Sequence, residues 1–131
     1  AFELAANADE KPIYCHCWGG ADRTGTFCFL LGALLGMSYT DLIIEYEMTS
    51  FCGNIRLHYR SFPEISWLRF KEFYDYLEAY SKTLKTNSIQ ETVEELLINE
   101  FNVSSKTIEK IRKTFLWFNG VNINIITIWR K

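Results

Sequence analysis

The chain has 131 residues, 48% of them apolar and 16% aromatic, which excludes a disordered segment and fits one domain able to bury a core. Its formal charge of −2 excludes recruitment of nucleic acid by a global positive field, so any anion must be bound locally. Four cysteines (Cys15, Cys17, Cys28 and Cys52) are too few and too scattered for a disulfide scaffold and are expected to be reduced thiols.

The first stretch, AFELAAN, reads as the end of a helix with Phe2, Leu4 and Ala5 or Ala6 facing inward. PIYCHC (12–17) follows a proline with a β-branched and an aromatic residue, which predicts a short buried strand. A glycine-rich turn comes next. RTGTFCFLLGALLG is then apolar nearly all round, as a central buried helix should be. The apolar run Phe27–Met37 is interrupted by Gly32 and Gly36 and falls short of the roughly 20 residues a membrane span needs.

Ser38 with Asp41 predicts a capped helix over SYTDLIIEYEM. SFCGNIRLHYRSFP (50–63) reads as a connection, in which Arg56, His58 and Arg60 are either a solvated face or an aid to anion binding. PEISWLRFKEFYDYLEAY predicts a broad amphipathic helix with Pro63 in its first turn. Ser88 with Glu91 opens another helix that buries Val93, Leu96 and Leu97. SSKTIEKIRKTFLWF repeats the pattern with Ile108, Ile111, Phe115 and Leu116, and Gly120 is placed to close it. The acidic face of the former and the basic face of the latter predict a helical hairpin. VNINIITIWRK at the end alternates as a strand does.

The chemistry is concentrated in HCWGGADRTG, residues 16–25. A free thiol is a poor nucleophile at neutral pH unless its anion is stabilised, and a helix N-terminus with a neighbouring cation does this. Cys17 and Arg23 flank a turn that runs into a helix, and the backbone N–H groups of such a turn converge into an anion nest. Gly19 and Gly20 permit the backbone conformations the nest requires. The Arg23 guanidinium offers a planar fork for two phosphate oxygens. A phosphate cup with a thiolate at its floor is the expected result, and its natural chemistry is attack on phosphorus.

The loop HCWGGADRTG resembles the His-Cys-x5-Arg-Thr-Gly signature of cysteine-dependent protein tyrosine phosphatases. The aspartate before the arginine is similar to that of a bacterial tyrosine phosphatase-like group, which includes secreted virulence phosphatases and phosphoinositide-active enzymes. IIEYEMTSF and ETVEELLINEFNVSSKTIEKIRKTFL resemble the group's later helices, so the likeness covers residues 2 to about 117. It implies an α/β fold, a parallel-sheet core with flanking helices, helix-rich in this portion. It also implies that Cys17 is the nucleophile, that Arg23 clamps the phosphate, and that Trp18, Gly19, Gly20, Ala21 and Asp22 complete the phosphate loop. His16 would hold the loop and favour the thiolate, and Thr24 would donate its hydroxyl to the Cys17 sulfur. Asp22 has two readings: proton donor to the leaving group, or a structural hydrogen bond to the loop.

Two departures qualify the resemblance. Ala21 stands where many relatives carry lysine, which tilts the expected substrate from phosphoinositides towards phosphoproteins or small phosphoesters. The family's separate general-acid loop and most of its sheet come before the signature, and only sixteen residues do so here. The chain is therefore expected to be the C-terminal part of a single phosphatase domain, weakly active or inactive alone, with a missing N-terminal half or self-association through exposed strands.

The function expected of the whole protein is hydrolysis of phosphate monoesters through a phosphocysteine, without metal or other cofactor. A phospho-ligand-binding pseudophosphatase and a phosphoinositide or inositol phosphate phosphatase are the alternatives. A Walker-type loop fails because Thr26 and Phe27 replace its Lys-Ser/Thr, and strand alternation points His16 away from Cys15 and Cys17, against a metal site. Cys15 and Cys28 read as buried fillers, either able to form a disulfide with Cys17 under oxidation. The expected compartment is cytoplasmic. AFELAANADEKP shows no signal peptide, but the chain begins without Met and secretion stays open.

Overall fold

The structure is a computed structural model and describes residues 1–8, 12–18, 20–48 and 68–116, without the side chains of 68 and 69. The predicted 50–63 connection, the Pro63 helix start, Cys52, the Gly120 stop and the terminal strand lie outside the described residues. Helices among the described residues are α1 (Phe2–Ala6), α2 (Arg23–Leu34), α3 (Tyr39–Glu47), α4 (Leu68–Leu84), α5 (Ile89–Asn99) and α6 (Ser105–Leu116). None of them is long and apolar enough to cross a membrane. The chain forms two compact units, one of residues 1–14 and 94–131, the other of residues 15–93.

In the 15–93 unit, α2 packs against α3. The turn between them closes as a Schellman motif: Met37 N–H donates to Gly32 O, Gly36 N–H donates to Ala33 O, and Gly36 takes φ +83°. Ser38 caps α3 as predicted, accepting from the Asp41 N–H at 3.2 Å while its hydroxyl donates to the Asp41 carboxylate at 2.7 Å. An aromatic cluster fills the core. Tyr46 stacks on Phe70 with centroids 3.9 Å apart, and Phe29 meets Phe70 edge-on at 5.4 Å. Leu34, Leu42 and Leu77 are fully buried around them.

The glycines of α2 answer to packing. A Cβ on Gly25 would lie 2.7 Å from the Tyr46 ring, and one on Gly32 would lie 2.7 Å from the Met37 sulfur. Gln90 of α5 donates to the Leu34 carbonyl at 3.1 Å, satisfying a group that the end of α2 leaves open.

In the unit of 1–14 and 94–131, α1 packs on α6. Thr107 donates to Glu3 and Lys110 to Asn7, both at 2.7 Å. Ile108, Ile111, Leu96 and Leu97 are buried as the helical periodicity predicts, with Phe115 and Leu116 half-buried. A helical hairpin is expected here from opposite charges, and one ion pair of the expected sign is present: the Arg112 guanidinium meets Glu94 at 2.6 Å. The inward face of α1 is Ala5 and Ala6, with Phe2 half-buried. Leu4 is instead 75% exposed, because helical spacing groups positions 2, 5 and 6 and turns position 4 outward.

The described residues hold no strand. Residues 12–17, predicted as a buried strand, carry no ladder, and Ile13, Tyr14 and His16 are exposed. A strand needs a neighbour to take its N–H and C=O groups, and none pairs with this segment among the described residues. The structure is helix-rich, as expected.

Candidate active site

Cys17, half-buried, stands at the end of the 12–17 segment, and α2 begins six residues later at Arg23. Between them Gly20 takes φ +72°. Nothing lies within 4 Å of the place where its Cβ would be, so conformation and not space demands glycine there. Gly19 is outside the described residues. Ala21 is 5% exposed, whereas Trp18 is 92% exposed.

The start of α2 lacks the caps found elsewhere in the chain. Asp22 occupies the N-cap position, and its carbonyl accepts from the Thr26 N–H at 2.8 Å. Its side chain makes no capping bond, and the first turn holds no acidic residue. Among the described residues no side-chain cap bond closes the first N–H groups of α2. Arg23, at the first helical position, is exposed. An anion held here would meet both a helix N-terminus and a guanidinium.

The supporting residues divide. The His16 ring, exposed, has Nδ1 3.4 Å from the Cys17 carbonyl oxygen, a long contact. Thr24 Oγ1 is buried with no hydrogen-bond partner among the described residues, so it does not make the donation to the Cys17 sulfur implied by the family resemblance. A buried hydroxyl left this way costs about 1–3 kcal/mol. The thiol of Cys28 faces Cys15, with which it shares a hydrogen bond. Burial first, and then Cys15 and the Glu45 carboxylate, push the Cys28 thiol up from 9.0 to about 12, so it stays protonated and unreactive near neutrality.

Two features were not anticipated from sequence. One is the seating of Gly25 under the Tyr46 ring, which ties the start of α2 to α3. Its signal was the pairing of a glycine early in an apolar helix with an aromatic in the following one. The other is a cavity of about 320 Å³ lined by Tyr39, Tyr74, Glu78, Thr86 and Thr92 among others, none of them from the loop. Its hydroxyls are occupied internally: Ser81 with Thr86 at 2.8 Å, Thr86 with Thr92 at 2.6 Å, and Thr92 donating to the Ser88 carbonyl at 2.8 Å. Desolvation and a hydrogen bond with Tyr39 hold the Tyr74 phenol above its ordinary range. A wall so satisfied offers little to a polar ligand, and the Cys17 loop remains the candidate site.

The profile of the tyrosine phosphatase family matches residues 1–117, and the chain belongs to that family. It is by family a phosphatase-type hydrolase. No match to a curated protein or to a solved structure was found.

Proposed function

We propose that the protein hydrolyses phosphate monoesters, phosphotyrosine or related phosphoprotein substrates, through a phosphocysteine on Cys17. The observation that carries the reading is the α2 N-terminus without a side-chain cap, set between Cys17 and Arg23. The phosphate oxygens take the N–H groups of the 18–22 turn and the Arg23 fork, while the dipole and the guanidinium favour the thiolate. The sulfur attacks phosphorus, the S–P bond forms and the ester P–O bond breaks, and the leaving oxygen takes a proton. Water then attacks phosphorus and gives a proton to the carboxylate left by the first step, the S–P bond breaks, and inorganic phosphate leaves with the thiolate and the acid restored. Charge on the equatorial oxygens is stabilised throughout by the cup and Arg23.

Asp22 is the proton donor in this reading; a carboxyl beside a phosphate must hold its proton or stand off to serve. Cys17, Asp22 and Arg23 are thus the catalytic residues, with His16 and Thr24 in support.

The test is turnover of a generic aryl phosphate by the full-length protein, beside its Cys17→Ser variant. Activity lost in the variant, with the fold retained, is expected. Equal rates in the two would refute the reading. A second reading, a pseudophosphatase that binds phospho-ligands without turnover, is favoured by the unpartnered Thr24 hydroxyl, which gives the sulfur no support. Phosphate binding with no turnover in either protein would establish it.

A further inference from the structure

The phosphate loop contains one large apolar side chain, and it is turned to solvent. Trp18 is 92% exposed, more than Tyr14 at 86%, Leu4 at 75% or any other exposed large hydrophobic among the described residues. An indole held clear of the core contributes nothing to the fold that a smaller side chain would not. It gains its dispersion and area terms only when something planar and apolar covers it.

The place of this indole in the chain says what would cover it. Trp18 directly follows the nucleophile, and its neighbours in the loop are Gly19, Gly20 and Ala21. The Ala21 side chain is buried, and the Cβ direction at Gly20 opens on empty space. In the phosphate-cup reading, the one large aromatic side chain of the loop is therefore that of Trp18, exposed and next in sequence to the nucleophile. A phosphate bound in such a cup carries its ester group on the solvent side, where the exposed Trp18 also lies.

We propose that Trp18 is a specificity-determining residue: its indole stacks on the ring of an aryl phosphate monoester whose phosphate occupies the 17–23 loop. This rests on the phosphate-cup reading above and adds to it the residue that selects among phosphate esters. An aliphatic or polyol ester places sp³ carbon and hydroxyls against the indole, and neither gains from a π-face as a ring does. The leaving group points the same way. A phenol such as tyrosine has a pKa of about 10, far below that of an alkyl alcohol, so an aryl ester depends less on a general acid.

The test compares binding of phenylphosphonate and of inorganic phosphate to the full-length protein and its Trp18→Ala and Trp18→Phe variants, by calorimetry on a Cys17→Ser background. Phenylphosphonate resists hydrolysis and phosphate has no ring, so the ratio of their affinities isolates the stacking from damage to the cup. Trp18→Ala is expected to lower that ratio by about tenfold, and Trp18→Phe to restore most of it. In turnover, the Ala variant raises KM for phenyl phosphate more than it lowers kcat. An unchanged ratio in Trp18→Ala, or a Phe variant no better than Ala, overturns the role of Trp18 while leaving the cup intact. Failure of the unsubstituted Cys17→Ser protein to bind inorganic phosphate overturns the cup reading and this inference with it.

Discussion

The N-termini of α2 and α6 follow opposite plans. At α6, Ser104 accepts from the Thr107 N–H at 3.1 Å and the two hydroxyls meet at 2.8 Å, while Thr107 and Lys110 reach back to α1. At α2, Asp22 sits in the cap position without a capping bond, Arg23 is exposed, and the Thr24 hydroxyl is buried without a partner. A helix end completed by its own side chains has no capacity left for a ligand. One without a side-chain cap bond forgoes about 1 kcal/mol of capping, and its N–H groups are the ones an anion would take in the proposed reading. In the proposed reading, stability and binding are written into different helix starts of the same chain.

The sharpest way to break this contrast is Arg23→Lys. The lysine keeps the charge but loses the planar fork, and kcat/KM for an aryl phosphate is expected to fall by about a hundredfold or more. Thermal stability stays near that of the parent because Arg23 is exposed. A variant with near-parental kcat/KM would show that α2 needs only a positive charge. Next comes Gly25→Ala, which forces a methyl to within 2.7 Å of the Tyr46 ring. A loss of about 1–3 kcal/mol in denaturant unfolding is expected, with phosphate affinity reduced as the start of α2 shifts.

Ser104→Ala sharpens the comparison from the other side. It should cost about 1 kcal/mol of stability and leave turnover per folded molecule unchanged. The smallest effect at neutral pH belongs to Cys28. Its thiol keeps its proton in the folded protein up to about pH 12, whereas the unfolded chain releases it near 9.0. Its contribution to stability is therefore complete below pH 9 and is lost as pH rises through the folded value. Unfolding followed across the alkaline range should show a shallower decline in Cys28→Ala. Iodoacetate near neutrality should label Cys17 ahead of Cys28.

The helices were legible because their signals are local. Ser38 with Asp41, Ser88 with Glu91, and the 3.6-residue spacing of Val93, Leu96, Leu97, Ile108 and Ile111 need no knowledge of the rest of the chain. The Glu91 carboxylate departs in detail, accepting from the Asn87 N–H at 2.8 Å and not from that of Ser88. The loop was legible for the same reason, since nucleophile, glycines and clamp lie within ten residues. The 12–17 segment, predicted as a strand, carries no ladder among the described residues, because β structure is a property of a pair and propensity in PIYCHC says nothing about its neighbour. Leu4 was misplaced because five helical residues define a face poorly. The Cys15–Cys28 contact joins the 12–17 segment to the second turn of α2, a relation that no spacing rule encodes.

The central claim is that Cys17 attacks phosphorus. Full-length protein mixed with a slowly hydrolysed aryl phosphate and quenched in denaturant within the first turnover should carry one phosphoryl group, located on Cys17 by peptide mass spectrometry. The adduct should be absent from Cys17→Ser and should decay as inorganic phosphate appears. Turnover without any adduct on Cys17, or with the phosphoryl group on another residue, would contradict the account.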